Sequence, residues 1–244
     1  MALVHEFEKR GNWLFKRRGW LPLLFLIPAI LHLWSADSAS TEYKLPLEIG
    51  FLCVGLFGQL IRAITVGRTP TGTSGRNVKG QVAYELNTTG IYSTVRHPLY
   101  LGNYFMWIAP VLLLKSAWFF IIFSLIYWIY YERIMFAEEQ YLRKKFGEKY
   151  DLWSENVRAF IPGFKNYTKS NLPFSMRNVL KREYHGFTNM FLVFAIVDLA
   201  RNWFSIKTVM LNPLWMWTLI AAMLIWVVLR ILSKGTKVLH VKGR

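Results

Sequence analysis

The sequence predicts an all-α protein, folded as a polytopic bundle of transmembrane helices. Three observations support this class: 54% of the 244 residues are hydrophobic, 17% are aromatic, and the apolar residues fall into long runs. Soluble domains of this length have a smaller apolar share. The formal net charge is +16, and the basic residues cluster beside the apolar runs. That placement favours anionic membrane lipids over nucleic acid as the partner of the positive charge.

The first element, over residues 1–18, is predicted to be an amphipathic helix in the membrane interface. Phe7, Trp13 and Phe15 stand among basic residues there. Such a pattern is typical of a helix that lies along the bilayer surface with its apolar side inward. We expect it to serve as an anchor.

Six apolar stretches then predict about six membrane spans. Four are long and regular, at 45–66, 99–114, 117–131 and 214–232. The stretch 20–34 contains Pro22 and Pro28, and 186–200 contains Asp198. Each of these two either spans the membrane or forms a re-entrant or interfacial helix.

Basic residues predict the orientation of the spans. They are frequent in 9–18, 68–96, 143–182 and 234–244, whereas the connecting loops 35–44 and 115–116 hold one Lys each. By the positive-inside rule, both termini and every long loop are expected in the cytosol.

Redox and metal chemistry have no support in the sequence. The single Cys53 lies within an apolar run, and no His, Cys or acidic residues show the spacing of a zinc site. We therefore expect neither a disulfide framework nor a bound metal.

A polar cluster stands at the start of the third apolar stretch. It consists of Arg96, His97, Pro98, Leu99, Tyr100, Leu101, Gly102 and Asn103. Pro98 suits the first turn of a helix, where free N–H groups and the helix dipole favour anionic groups. Gly102 allows a backbone or a flat ligand to approach closely. The alternative interpretation is a helix cap with interfacial Arg, His and Tyr anchors.

A second cluster lies where the helix that starts at Ala117 leaves the membrane. Glu138 and Glu139 are adjacent there, and adjacent helical side chains point about 100° apart. One carboxylate can therefore face a cavity while the other meets a second partner. Alternatively, both pair with Arg143 on the solvated helix surface, which contributes only about 0.3–0.5 kcal/mol.

With the segment 146–162, these clusters resemble the family of isoprenylcysteine carboxyl methyltransferases and phospholipid methyltransferases. The resemblance extends over residues 88–164. It is carried by 96–102, by 138–142 (EEQYL), by Phe146-Gly147 and Tyr150, and by 157–162 (VRAFIP). One departure is Trp153, where the family often has a second Tyr.

The resemblance implies an enzyme that uses S-adenosyl-L-methionine, with an active site facing the cytosol. The implied cofactor-binding residues are Arg96, His97, Pro98, Tyr100, Leu101, Gly102, Glu138, Glu139 and Tyr150. The implied catalytic residues are His97, Arg158 and Glu139. The chain then divides into the interfacial helix 1–18, a methyltransferase core 19–165 that includes a short cofactor-binding segment, and C-terminal helices with a basic tail, 166–244.

The methyl acceptor is expected to be the anionic headgroup of a lipid in the bilayer. Arg62, Arg76 and Arg158 would bind it through guanidinium contacts. The segments 73–77 and 86–90 also resemble bacterial relatives that methylate a lipid phosphate, as on lipid A. That acceptor, in a bacterial inner membrane, is therefore the first choice. The alternatives are carboxyl methylation of a prenylcysteine-like substrate and N-methylation of an aminophospholipid. An amine acceptor would need a base, for which His97 and Glu139 are the candidates. From another class, a non-enzymatic transporter or scaffold would give these clusters a structural role.

Further ionisable residues lie near other span ends. Asp198 and Arg201 either serve function or form a structural ion pair. His32 and Glu48 are expected in the interface.

Overall fold

The computed structural model describes residues 2–35, 44–73 and 80–243. Within these ranges the chain is helical and has no strand, which confirms the all-α class. The helices are α1 (Leu3–Arg17), α2 (Leu26–Ser35), α3 (Leu45–Gly67), α4 (Pro98–Leu112), α5 (Ala117–Phe146), α6 (Glu148–Asn156), α7 (Met176–Ile206) and α8 (Pro213–Gly235). Short 3₁₀ turns at Leu21–Phe25 and Gly90–Ser93 stand before α2 and α4.

Four of these helices, α3, α5, α7 and α8, are long and apolar enough to cross a membrane. A fifth crossing is possible if α1 and the segment Leu21–Ser35, which meet at 85°, count as one broken span. Helix α4 has 15 residues, so it is about 22 Å long against a hydrocarbon core of about 30 Å. The protein is an integral membrane protein by these criteria. Six spans and cytosolic termini stay predictions.

Local signals set the helix ends that matter for the site. Pro98 opens α4, where its missing N–H leaves no bond unmade. The Ser116 side chain caps α5 by accepting from the Phe119 N–H at 3.3 Å. Gly147 ends α5 with φ of 53°, a left-handed backbone angle that glycine adopts without strain. As predicted, α5 continues past the acidic doublet.

Helices α3 and α4 approach each other backbone to backbone. A Cβ atom added to Gly58 would lie 2.5 Å from the Gly102 carbonyl oxygen, and one added to Gly102 would lie 2.8 Å from the Gly58 carbonyl oxygen. Small residues permit this contact in membrane bundles. Of the two alternatives for Gly102, a backbone or a flat ligand, the structure shows the backbone: α3 fills the space beside Gly102.

A buried ionic network joins α3, α7 and α8 at one end of the bundle. Arg201 donates to Glu48 at 2.7 Å and to Asp198 at 2.5 Å, and all three side chains are 0% exposed. Trp215 also donates to Glu48, and Asn212 to Asp198. The structure thus favours the structural interpretation of Asp198 and Arg201. Glu48 is buried between α3, α7 and α8, and its depth in the membrane stays a prediction.

Helix α1 packs along α5. A Cβ atom on Gly11 would lie 2.1 Å from the Arg133 carbonyl oxygen, so the two backbones touch. The Phe7 ring contacts Phe136 with the ring centroids 5.8 Å apart, and the Arg133 guanidinium lies over Phe7. Helix α1 is therefore part of the helical bundle. Its contact with a membrane surface stays a prediction.

Candidate functional site

A cavity opens at the bundle end opposite the buried ionic network. It encloses about 1060 Å³ of empty space, a volume that includes the open mouth. Its walls come from the start of α4, the second half of α5, helix α6, the end of α1 and the loop before α4. The cavity therefore forms where elements distant in sequence meet.

The start of α4 is held by the segment that follows α6. The backbone N–H groups of Arg96 and His97 donate to the carbonyls of Arg158 and Ala159, at 2.9 and 3.1 Å. The Gly163 N–H donates to the carbonyl of Thr94 at 2.8 Å. These bonds fix the His97–Pro98 corner before any ligand binds.

The acidic doublet of α5 meets this corner directly. Arg96 Nε and His97 Nε2 both lie within hydrogen-bond distance of Glu139 Oε1, at 2.8 and 2.9 Å. The Tyr100 hydroxyl donates to Glu138 Oε1 at 2.9 Å. The structure thus brings together the two clusters that the sequence singled out.

Among the described residues, Glu138 and Glu139 do not form the alternative ion pair with Arg143. Arg143 Nε instead donates to Asp151 of α6 at 2.7 Å. That pair is about half exposed on both sides, so solvent screens it and it stabilises the fold little.

The Arg96 guanidinium connects the start of α4 to α5 and to the end of α6. Besides Glu139, it donates through Nη1 to the carbonyls of Ser154 and Val157, at 2.7 and 2.6 Å. Carbonyls at the end of α6 have no partner within the helix, so these bonds satisfy the helix terminus. Arg96 therefore orients Glu139 and α6 at the same time.

Two opposing effects set the pKa of His97. Burial lowers it, but hydrogen bonds and charge interactions with Glu138 and Glu139 outweigh burial, so the pKa is raised above its ordinary value. His97 Nδ1 lies 3.6 Å from Glu138 Oε2. A larger protonated share of His97 leaves less neutral imidazole to accept a proton from a substrate.

Aromatic side chains line the rest of the cavity. Tyr92, Tyr100, Tyr141, Tyr150 and Trp153 all contribute to it. The Trp153 indole donates to the Tyr92 carbonyl at 3.1 Å, which fixes the ring plane. The tryptophan that departs from the family pattern therefore still supplies a wall of the cavity.

Most of the residues predicted for the site line the cavity. They are Arg62, Arg96, His97, Pro98, Tyr100, Glu138, Glu139 and Tyr150. Leu101 and Gly102 do not, because they lie on the buried side of α4 away from the opening. Arg158 is exposed and outside the lining, and its carbonyl rather than its guanidinium reaches the corner. Arg76 lies outside the described residues.

Arg62 is not the isolated cation that the sequence suggested. Glu183 of α7 accepts from its Nε and Nη2 at 2.7 and 3.0 Å. Asn103 of α4 accepts from its Nη1 at 2.7 Å. Arg62 therefore reaches the cavity as one half of an ion pair.

Several lining residues were missing from the sequence prediction. Phe15 and Arg18 come from α1, and 81–87 from the loop before α4. Asn103 belonged to the polar cluster of the sequence but was given no role there; it follows Tyr100 by three residues on α4 and lines the cavity. The others carry no local signal, since tertiary packing alone brings them to the cavity.

Comparison with known proteins agrees with this geometry. Residues 48–149 match the model of the phospholipid methyltransferase family. The chain is 32% identical to protein-S-isoprenylcysteine O-methyltransferase of Schizosaccharomyces pombe over 117 residues, 47% of this chain and 48% of that protein. The enzyme of the same name from Dictyostelium discoideum is 31% identical over 122 residues, again 47% and 48%. The chain spans about half the length of these relatives.

A relative with another name covers more of the chain. It is the nickel-cobalt-cadmium resistance protein NccN of Alcaligenes xylosoxydans xylosoxydans, 27% identical over 170 residues, 68% of this chain and 77% of that protein. Among the described residues, no group of three or more His, Cys, Asp or Glu side chains could hold a metal ion. No solved structure matches the chain.

Proposed function

We propose that the protein is a membrane methyltransferase that binds S-adenosyl-L-methionine in this cavity and methylates an anionic group on an apolar-tailed acceptor. One observation carries the proposal: Glu138 and Glu139 of α5 meet the His97–Pro98 corner of α4 inside a single cavity. The family match and the names of the relatives support the same reaction class.

The cavity suits the chemistry of that cofactor. Its sulfonium and ammonium groups are cationic, and Glu138 offers Oε2, whose contact with His97 Nδ1 is long at 3.6 Å. Its flat adenine calls for aromatic walls, which Tyr92 and Trp153 provide. Glu139 is already bonded to Arg96 and His97 and so fixes the shape of the pocket around its neighbour.

The bound cofactor supplies a methyl group on sulfur; an acceptor oxygen forms the new O–CH₃ bond while the S–CH₃ electron pair returns to sulfur. The protein must hold the two reactants in line and exclude water. Arg96 locks α6 and the following segment over the cofactor end of the cavity. Tyr100 keeps Glu138 in place.

The acceptor is a carboxylate on a prenylcysteine-like molecule, as the names of the relatives suggest. A lipid phosphate such as that of lipid A is the second candidate. Both anions are nucleophilic at neutral pH without a base. An amine is less favoured, because the raised pKa of His97 leaves less neutral imidazole to deprotonate it.

The cavity end of the bundle faces the cytosol in this proposal. Arg68, Arg96 and the basic segment 143–182 lie at that end, in agreement with the positive-inside rule. A soluble cofactor made in the cytosol would reach the cavity directly. A bacterial inner membrane is the setting that fits the predicted topology.

Two measurements on detergent-purified protein test the proposal. Titration with S-adenosyl-L-methionine and with its demethylated product should show saturable binding of both. Radiolabelled methyl transfer should then mark S-prenylated N-acetylcysteine in preference to total lipid extract. Label in a lipid phosphate ester would replace the carboxylate by the phosphate. Absence of cofactor binding would leave the non-enzymatic transporter or scaffold.

A further inference from the structure

Glu183 of α7 forms a bidentate ion pair with Arg62 of α3. Its carboxylate accepts from Arg62 Nε at 2.7 Å and from Nη2 at 3.0 Å. The Glu183 side chain is 5% exposed and that of Arg62 19%. Of these two residues only Arg62 lines the cavity, so Glu183 affects the cavity through its contact with Arg62.

Arg62 lies farther along the helical bundle than the His97–Pro98 corner. Its partner Asn103 lies six positions beyond His97 in the sequence, which places it about 9 Å farther along α4. The acidic doublet meets His97 at the start of α4. An acceptor that arrives from the bilayer therefore reaches Arg62 from one side, while the cofactor occupies the other.

The guanidinium of Arg62 keeps donors for a ligand. It has five N–H groups, and the contacts with Glu183 and Asn103 use three. The two that remain are the number that a carboxylate accepts in a bidentate contact. Because the bidentate contact with Glu183 fixes the plane of the guanidinium, it also fixes the direction of the two remaining N–H groups.

We propose that Glu183 is a positioning residue that holds Arg62 in place to bind the anionic group of the methyl acceptor. Helix α7 thereby takes part in acceptor recognition, although it lies beyond the segment 48–149 that matches the family. This inference rests on the proposed function, and it assigns the anion-binding end of the same cavity.

The test compares two ligands in several variants. Binding of S-prenylated N-acetylcysteine and of its neutral amide is measured, together with binding of the demethylated cofactor. Wild-type protein should prefer the carboxylate. Glu183→Gln should reduce that preference by about ten- to a hundredfold, the range expected when a charge-assisted contact is lost, and should leave cofactor affinity within about twofold.

Two further variants complete the design. Glu183→Asp keeps the charge but draws the guanidinium back by one methylene, so the preference should fall even if Glu183→Gln does not fold. Asp198→Asn, in the buried ion pair with Arg201 at the far end, is the matched control. It should lose stability without changing the preference.

The outcomes separate the two proposals. An unchanged preference in both Glu183 variants, or an equal loss of acceptor and cofactor affinity, overturns the positioning role while leaving the methyltransferase intact. Failure of the wild-type protein to bind the cofactor at all overturns the proposed function instead.

Discussion

His97 Nε2 lies 2.9 Å from Glu139 Oε1, although the two residues are 42 positions apart and belong to different helices. The contact exists because α4 and α5 form an antiparallel pair whose ends meet beside the cavity. A local cap on α4 or a solvated surface pair on α5 would not have required it. The predictions below start from this contact and the residues around it.

Glu139→Gln should weaken binding of the demethylated cofactor by about tenfold or more, because Arg96 and His97 lose a charged acceptor and the pocket wall shifts. Thermal stability should change much less. Glu132→Gln is the control on the same helix, since Glu132 is about half exposed and its cation Arg133 is 3.9 Å away. Equal losses of binding and stability in Glu139→Gln would indicate a purely structural doublet.

His97 should make stability depend on pH in a defined direction. Its pKa is raised in the folded protein by Glu138 and Glu139, so the folded state favours the protonated form of His97. The resulting stability is fully present below the unfolded pKa of about 6.5 and is lost as the pH rises through the folded pKa. The free energies of unfolding of the wild-type protein and of His97→Gln, measured between pH 5 and 9, should converge at the upper end of this range. A gap that widens with rising pH would contradict the raised pKa.

Gly58→Ala should push α3 and α4 apart, because the new Cβ would lie 2.5 Å from the Gly102 carbonyl oxygen. We expect the free energy of unfolding to fall by about 1–3 kcal/mol. Gly50→Ala, on the same helix with nothing within 4 Å of its added Cβ, should stay within about 1 kcal/mol of wild type. Equal melting temperatures for the two variants would show that the close helix contact does not form.

Glu48→Gln should destabilise the fold without affecting the cavity. Arg201 would lose one of two charged partners where no water reaches it, and breaking a buried pair typically costs about 3–5 kcal/mol. Folded molecules should bind the demethylated cofactor as wild type does. A changed dissociation constant would connect the two ends of the bundle and contradict their independence.

Much of this organisation could be predicted from sequence, because its signals are local. Long apolar runs predicted the helices, and the family resemblance carried by 96–102 and 138–142 implied that both clusters belong to one cofactor site. The match to a methyltransferase family segment supports the same interpretation. Such patterns depend on the chain alone and survive into the folded protein.

The remainder depends on which helices pack together, and no local pattern encodes that. Arg62 looked like an unpaired cation because its partner Glu183 is 121 positions away. Gly102 looked like a ligand position, whereas α3 fills the space beside it. The buried state of Glu48 likewise follows from the arrival of Arg201 and Trp215 on two other helices.

The most direct test of the central claim is an experimental structure of the protein with the demethylated cofactor at saturating concentration. We predict density for the nucleoside inside the cavity, with the amino acid end beside Glu138 and the adenine against Trp153. Density for the same molecule elsewhere on the protein, or a cavity filled by the packed side chains of α1 and α6, would contradict the account.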